Sequence, residues 1–316
     1  MVSVIIPVYN GEKTIGECLS LLLKQTKKPE EIMVVDDGST DNTVEIVKKI
    51  KGVKLIKQSH KGPASARNLG AKKAKGDILL FTDADCIPHR DWVSEMARSF
   101  ENKETVGVQG RYETNQKGLI PRFVQFEIED RYDRMGKREH IDFIGSYSAG
   151  YRKQTFLKFG GFDESFPIAS GEDPELSFKI SKFGNKMVFN DKAIVYHNHV
   201  DSLWEYLRQK LWRAYWRVLL YRKHPGKITG ESYTPQILKS QIFFFYLCVL
   251  SAVFYVSIPY AIYLSLFSLI LWVLSTLPLS YKNFKKDSII GLSTPFISIL
   301  RTIVFGLGLI YGVIRI

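Results

Sequence analysis

The C-terminal quarter constrains this chain most. Of the 80 residues Ile237–Ile316, 51 are Ala, Val, Ile, Leu, Met, Phe, Trp, Tyr or Cys, whereas the whole chain is 45% hydrophobic. A helix needs about 20 apolar residues to cross a bilayer. Pro259, Pro278 and the polar loop Ser280–Ser288 divide the tail into segments of that order, at about 242–258, 260–279 and 289–314. The third carries Arg301 near its middle. A mid-membrane Arg costs at least ~2.5 kcal/mol unless it is paired or wetted. Either Arg301 faces protein or water in a third span, or the segment lies partly in the interface; three spans are expected. Lys282, Lys285 and Lys286 belong on the cytoplasmic side by the positive-inside rule. The first helix then leaves the cytoplasm and the second returns.

Such a tail excludes a purely soluble protein, and composition excludes disorder, collagen and a disulfide scaffold. The net charge is +12 over 316 residues. A basic domain beside a membrane points to anionic headgroups or phosphorylated substrates. Nucleic acid is not expected as a partner, because no nucleic-acid-binding motif is present. Cys18, Cys86 and Cys248 have neither metal-ligand spacing nor an even count, which fits a reducing compartment. The opening Val2–Pro7 reads as a strand without a charged n-region, not as a signal peptide. The N-terminal domain is therefore expected on the cytoplasmic face of the plasma membrane.

Ahead of the tail, apolar runs alternate with helical stretches. Strands are expected at Val2–Ile6, Ile32–Val35, Val53–Ile56 and Ile78–Phe81, and helices at Asn10–Lys24, Asp41–Ile50 and Pro63–Lys75. This is the signature of an α/β, Rossmann-like, doubly wound and mostly parallel sheet. After Arg90 the pattern loosens. Helices are expected at Asp91–Phe100, Leu119–Met135 and Pro174–Phe183, and strands at Val106–Tyr112 and Ala193–Tyr196. The Gly-rich stretch Gly145–Gly161 carries no assignment. The domains read as 1–200 catalytic, 201–236 interfacial helix and linker, and 237–316 transmembrane. Within the linker, Leu203–Lys223 is amphipathic, aromatic and basic. It suits a helix lying in the membrane interface, or an ordinary surface helix with Arg stems on the core.

Four constellations carry chemistry. Asp36 and Asp37 follow a buried strand, and ligands of open parallel sheets sit beyond strand carboxyl ends. Carboxylates there can accept hydrogen bonds from a nucleobase or ribose, while Ser39 or Asp41 can cap the next helix. Asp83 and Asp85 leave the fourth strand two residues apart and can converge on Mg²⁺ or Mn²⁺, which take oxygen ligands and bind substrate phosphates. In Gly171-Glu172-Asp173-Pro174, Asp173 is either a helix N-cap with Pro at the first position or a general base at a helix start; Glu172 is the next candidate base. One of His197 and His199, after the last strand, can complete a metal shell, or both are structural.

As a set, Val2-Ser-Val-Ile-Ile-Pro7-Val-Tyr9-Asn, Val35-Asp-Asp-Gly-Ser-Thr-Asp41, Gly62-Pro-Ala-Ser-Ala-Arg67-Asn68-Leu-Gly70, Asp83-Ala-Asp85 and Gly171-Glu-Asp173 resemble a family 2 glycosyltransferase over about residues 2–200. The resemblance implies a GT-A fold and inversion at the sugar carbon. It implies that Pro7 and Tyr9 line the nucleotide and that Asp37 meets the base with Asp36 beside it. Arg67 would lie near the diphosphate. Asp83 and Asp85 would handle the ribose side and the metal, and Asp173 would deprotonate the acceptor hydroxyl. Members that polymerise processively carry Gln-x-x-Arg-Trp on an interfacial helix. Here Gln209-Lys-Leu-Trp212-Arg213 has the last two swapped, and the tail is short for a polymer channel.

The chain is thus similar to single-addition enzymes building lipid-linked glycans, among them archaeal N-glycan mannosyltransferases of reduced cellulose-synthase-like architecture. The expected donor is a GDP- or UDP-linked sugar, with mannose as the sugar. The expected acceptor is a dolichyl or polyprenyl pyrophosphate glycan. A polyprenyl-phosphate sugar synthase and a non-catalytic nucleotide-binding membrane module are the rivals.

Overall fold

The alternating apolar runs become a mixed eight-stranded sheet in a computed structural model that describes residues 1–166, 171–232 and 234–316. In chain order the elements are β1 (Val2–Val8), α1 (Ile15–Leu23), β2 (Glu31–Asp36), α2 (Thr43–Lys49), β3 (Val53–Lys57), α3 (Pro63–Lys73), β4 (Ile78–Thr82), β5 (Cys86–Pro88), α4 (Trp92–Arg98) and β6 (Thr105–Glu113). Then follow α5 (Leu119–Met135), β7 (Ser148–Arg152), α6 (Lys153–Lys158), α7 (Glu172–Lys182) and β8 (Lys186–His197). The strand order is β3-β2-β1-β4-β7-β6-β8-β5. The run from β3 to β4 is parallel, as the βαβ alternation requires. β7 lies antiparallel to both β4 and β6, while β6 and β8 are parallel and β5 is antiparallel to β8.

Two compact units result. The first comprises Met1–Asn115 and Ile128–Asn198; the second comprises Gln116–Glu127 and His199–Ile316. In the first, β1 is buried along its whole length, and β2 and β4 nearly so, because helices cover both faces of a parallel sheet. Val4, Ile6, Leu19, Leu22, Val34, Leu80, Trp92 and Met96 share one core. The C-terminal ends of β1, β2 and β4 bring Tyr9, Asp37 and Asp83 to one sheet edge.

The structure departs from the sequence reading where glycine and polarity mask a strand. Gly145–Gly161 contains β7 and α6. β8 is twelve residues long, although its middle residues Asp191 and Lys192 are exposed. A register shift in its pairing with β6 accompanies that polar interruption.

The second unit contains α8 (Leu203–Lys223), α9 (Gln236–Phe254), α10 (Ala261–Leu274), α11 (Leu277–Phe284) and α12 (Ser288–Arg315). Among the described residues three helices are long and apolar enough to cross a membrane: Gln236–Phe254, Ala261–Phe284 with a break before Pro278, and Ser288–Arg315. α12 continues through Pro295. Proline has no N–H for the Gly291 carbonyl, and the Ser280 hydroxyl donates to that carbonyl instead, at 2.7 Å. α12 lies close against α8. A Cβ on Gly308 would stand 2.3 Å from the Leu211 carbonyl oxygen, and one on Gly312 would stand 2.7 Å from that of Tyr215. Small residues permit such approach between apolar helices.

Arg301 faces protein. It is 2% exposed. Nη1 donates to Glu127 Oε1 at 2.6 Å and Nη2 to Gln241 Oε1 at 3.0 Å. Lys210 Nζ donates to the other Glu127 oxygen at 2.7 Å. One carboxylate from α5 thus ties down a cation from α8 and another from α12.

Candidate active site

Asp36 and Asp37 are both buried, at 3% and 2% exposure. Asp36 Oδ1 accepts from the Ser39 amide at 3.3 Å, closing the turn after β2. Gly38 in that turn has φ +80°, and a Cβ there would meet the His60 amide nitrogen at 3.0 Å. Asp37 receives Gln58 Nε2 at 2.6 Å and the Lys61 amide at 2.9 Å on one oxygen, and the Gly62 amide at 2.9 Å on the other. Its second oxygen also lies 2.9 Å from His60 Nδ1. Asp37 therefore shapes the loop entering α3, in which Ser59, His60 and Lys61 stay open to solvent. The His60 ring lies 4.2 Å from that of Tyr9, which is itself exposed. Pro7 sits buried inside β1. His60 follows β3 at the same edge as Asp37; that position after a strand was the signal for it.

Arg67, on α3, is 3% exposed. Nη2 donates to Asp83 Oδ1 at 2.7 Å and Nη1 to Glu172 Oε1 at 3.3 Å. A buried guanidinium between two carboxylates is a strut, and those carboxylates hold its pKa above the ordinary arginine value against the opposing effect of burial. Its neighbour Asn68 holds the Phe162 amide and carbonyl and the Glu164 carboxylate. Consecutive residues of α3 thus fix the segment that leads toward α7.

Glu172 and Asp173 occupy the first two positions of α7, and Gly171 is the N-cap. The N-cap reading of Asp173 is corrected accordingly. Asp173 does not serve its own helix end; Oδ2 instead accepts from the Ser146 amide at 3.0 Å and the Ser146 hydroxyl at 3.3 Å. Oδ1 is inaccessible to solvent and has no hydrogen-bond partner among the described residues. Burial first, then the Glu172 carboxylate, pushes the Asp173 pKa up to about 8. A held carboxylate with one free oxygen and a raised pKa is equipped to accept a proton near neutral pH. Ser146 lay unread in the Gly-rich stretch, where nothing in the sequence marked it.

Asp85 and His197 meet because β5 pairs with β8 in a register that sets Cys86 opposite His197. Asp85 Oδ1 lies 3.7 Å from His197 Nδ1. Candidate ligand atoms of Asp85, Cys86 and His197 all fall within 4.8 Å of one another. Burial raises the Cys86 pKa far above its ordinary value, so it stays a thiol and a poor ligand for a hard cation. Partial desolvation and the nearby Asp83 carboxylate push the pKa of the half-exposed Asp85 up, a repulsion that a cation would relieve. An oxygen donor and an imidazole nitrogen at this spacing can hold a divalent cation such as Mn²⁺ or Mg²⁺. Asp83 turns to Arg67. His199 belongs to the second unit, where its Nε2 lies 3.0 Å from Gln125 Oε1. Of the two histidines, His197 is the one beside Asp85.

On α8, Gln209, Trp212 and Arg213 are exposed, as are Trp204 and Arg208. The same helix buries Tyr206, Lys210 and Arg217.

Residues 3–159 match the model of glycosyl transferase family 2. The chain is 42% identical over 208 residues to the glycosyltransferase AglE of Haloferax volcanii; the match covers 62% of this chain and 66% of that relative. It is 27% identical over 309 residues to the probable glycosyltransferase YdaM of Bacillus subtilis, covering 87% of this chain and 71% of the relative. Among solved structures it is similar to the mannosyltransferase PcManGT from Pyrobaculum calidifontis, in complex with GDP-Man and Mn²⁺, with a TM-score of 0.63 at 20% identity, covering 98% and 87% of the two chains. That likeness establishes a shared GT-A fold. With the sheet edge, the paired aspartates and these relatives together, the chain belongs to glycosyltransferase family 2.

Proposed function

We propose that this protein is a membrane-anchored, inverting glycosyltransferase that adds one sugar, mannose, from a nucleotide-diphosphate donor to a lipid-linked glycan. The acceptor is a dolichyl or polyprenyl pyrophosphate glycan of the kind used in N-glycan assembly, met at the cytoplasmic face of the plasma membrane. The donor is assigned to the edge formed by Pro7, Tyr9, Asp36, Asp37, Arg67 and Asp83. Asp85 and His197 would hold the divalent cation, which when bound supplies positive charge for the diphosphate leaving group. Arg67 holds Asp83 and Glu172 in place. Asp173 takes the proton of the acceptor hydroxyl at Oδ1 while Ser146 keeps Oδ2 fixed. Gln209, Trp212 and Arg213 hold α8 against the bilayer that carries the acceptor.

The observation that carries this reading is the buried Oδ1 of Asp173, which has no hydrogen-bond partner among the described residues, beside the Arg67 bridge to Asp83. An acceptor hydroxyl needs a base, whereas a lipid phosphate is already a nucleophile. The test is a panel of UDP- and GDP-sugars incubated with the full chain and a membrane lipid extract, with products read by mass spectrometry. A single hexose on a glycan-bearing lipid supports the reading. A sugar joined directly to lipid phosphate makes the chain a polyprenyl-phosphate sugar synthase, and donor binding without product makes it a binding module.

A further inference from the structure

His197 does not stand alone at the end of β8. Tyr112 on β6 stacks on it, with ring centroids 4.8 Å apart and planes 20° apart. Tyr147 stacks on the far side of Tyr112, at 3.7 Å and 16°. The third member, Tyr132 on α5, receives the Tyr112 amide at 2.8 Å and shares a 2.9 Å hydroxyl contact with Tyr147. Tyr132 is in turn stacked on Phe189 of β8, at 5.1 Å. The sheet explains the arrangement. Tyr112 pairs with Val195, two residues before His197; residues two apart share a face, so Tyr112 and His197 are diagonal neighbours. Packing holds the stack in place: Tyr132 is 4% exposed, and the half-buried Tyr112 and Tyr147 pack on the main core.

An imidazole that binds a metal must have its ring plane fixed, because a misdirected nitrogen lone pair binds poorly. We propose that Tyr112, backed by Tyr147 and Tyr132, is the positioning residue that fixes the His197 ring with Nδ1 toward Asp85. It thereby sets both the affinity for a divalent cation and the preference for Mn²⁺ over Mg²⁺. The preference follows because Mg²⁺ takes oxygen ligands and gains little from a well-aimed nitrogen. This inference rests on the cation assignment to Asp85 and His197 made above.

The experiment titrates the detergent-solubilised full chain with Mn²⁺ alone, following free Mn²⁺ by electron paramagnetic resonance. Bound samples are then examined for ¹⁴N modulation from a coordinated imidazole. Loss of a group that orients a metal ligand costs about 10–100-fold in affinity. Tyr112→Leu, which keeps bulk but loses the ring plane, should weaken Mn²⁺ by about that factor and reduce the ¹⁴N signal, with little change for Mg²⁺. Tyr112→Phe, which keeps the plane, should bind as the parent does. Tyr147→Leu, one ring further out, should show a smaller loss of the same kind and guards against a Tyr112 variant that fails to fold. If Tyr112→Leu binds Mn²⁺ normally with full ¹⁴N modulation while His197→Ala does not, the positioning role is wrong and the metal assignment stands. If His197→Ala itself leaves Mn²⁺ binding unchanged, both are wrong. A Phe variant as weak as the Leu variant would shift the role from the ring to the hydroxyl and overturn the stacking argument.

Discussion

Each unit buries a charged cluster of three, with the signs reversed. In the catalytic unit one arginine, Arg67, serves two carboxylates, Asp83 and Glu172. In the helical unit one carboxylate, Glu127, serves two cations, Lys210 and Arg301. The first cluster has surplus negative charge, and a further carboxylate, Asp173, lies close enough to feel it. The second has surplus positive charge, held among apolar helices. A buried pair contributes little net stability, but breaking one is costly because a naked charge remains. The same device thus serves two ends: in the proposed mechanism the surplus negative charge adds to burial in keeping Asp173 protonatable, whereas the surplus positive charge ties α8 and α12 to one carboxylate of α5.

The largest effect should come from removing the poised base. Asp173→Asn keeps the shape and the hydrogen bonds from Ser146 but cannot take a proton. Positioned base catalysis is worth about 10²–10⁴-fold, so transfer should fall by at least ~10². Donor affinity, measured by calorimetry, should stay nearly unchanged, because Asp173 is not assigned to the donor. Normal turnover by this variant would remove Asp173 from the chemistry and leave Glu172 as the candidate base.

Next in size is the other cluster. Glu127→Ala leaves Lys210 and Arg301 buried without their shared counter-charge, and such a break costs about 3–5 kcal/mol. Denaturant unfolding in detergent, followed by tryptophan fluorescence, measures it. Burial already pushes Lys210 down to about 8 against the pull of Glu127, and without that carboxylate it should fall further. Replacing all three residues together, with Glu127→Leu, Lys210→Met and Arg301→Met, should recover most of the loss. Failure of the triple variant to recover would mean that the cluster does more than hold helices.

The third effect is one of pH. A base with a pKa near 8 works once deprotonated, so log kcat/KM should rise with unit slope below about pH 8 and level above it. The stability sign runs the other way. The folded-state pKa lies above the unfolded value of about 4, so Asp173 stabilises the fold at low pH. That contribution is lost as pH rises from about 4 through about 8. Asp173→Asn should therefore lose less stability than the parent across that range. A profile flat from pH 6 to 9, with chemistry rate-limiting, would count against the raised pKa.

Sequence alone reached the parallel half of the sheet, because buried parallel strands are continuous apolar runs with turn residues at each end. It also reached α5, Leu119–Met135, whose apolar face repeats at helical spacing. β7 was hidden because Ser148-Ala-Gly-Tyr-Arg is neither alternating nor β-branched. Its strand identity comes from lying between β4 and β6. The aspartates were legible as chemistry but not as geometry. That Asp37 shapes a loop and Arg67 bridges two acids depends on residues up to 105 positions apart. Glu127 gave no signal as the partner of Arg301, 174 positions away. His60 was passed over although its place after β3 marked it, and Ser146 and the three tyrosines were missed because their partners are set by the tertiary fold.

The smallest effect belongs to the exposed residues of α8, and it tests whether exposed and buried cations of that helix divide their work. Lys210 and Arg217 point into protein, where Glu127 and Glu231 receive them. Arg213 and Trp212 are exposed. A surface cation contributes about 1 kcal/mol near an anionic leaflet, a factor of about five in affinity. Arg213→Ala should therefore raise KM for a long-chain lipid acceptor about fivefold in anionic vesicles, with kcat and donor KM unchanged. In zwitterionic vesicles, or with a short water-soluble acceptor, the same variant should match the parent. The comparison matters because the inner cations predict the opposite pattern: losing Lys210 should cost stability whatever the lipid. Equal losses for Arg213→Ala on both lipids would make α8 a structural helix throughout, and the lipid acceptor would need another landing place.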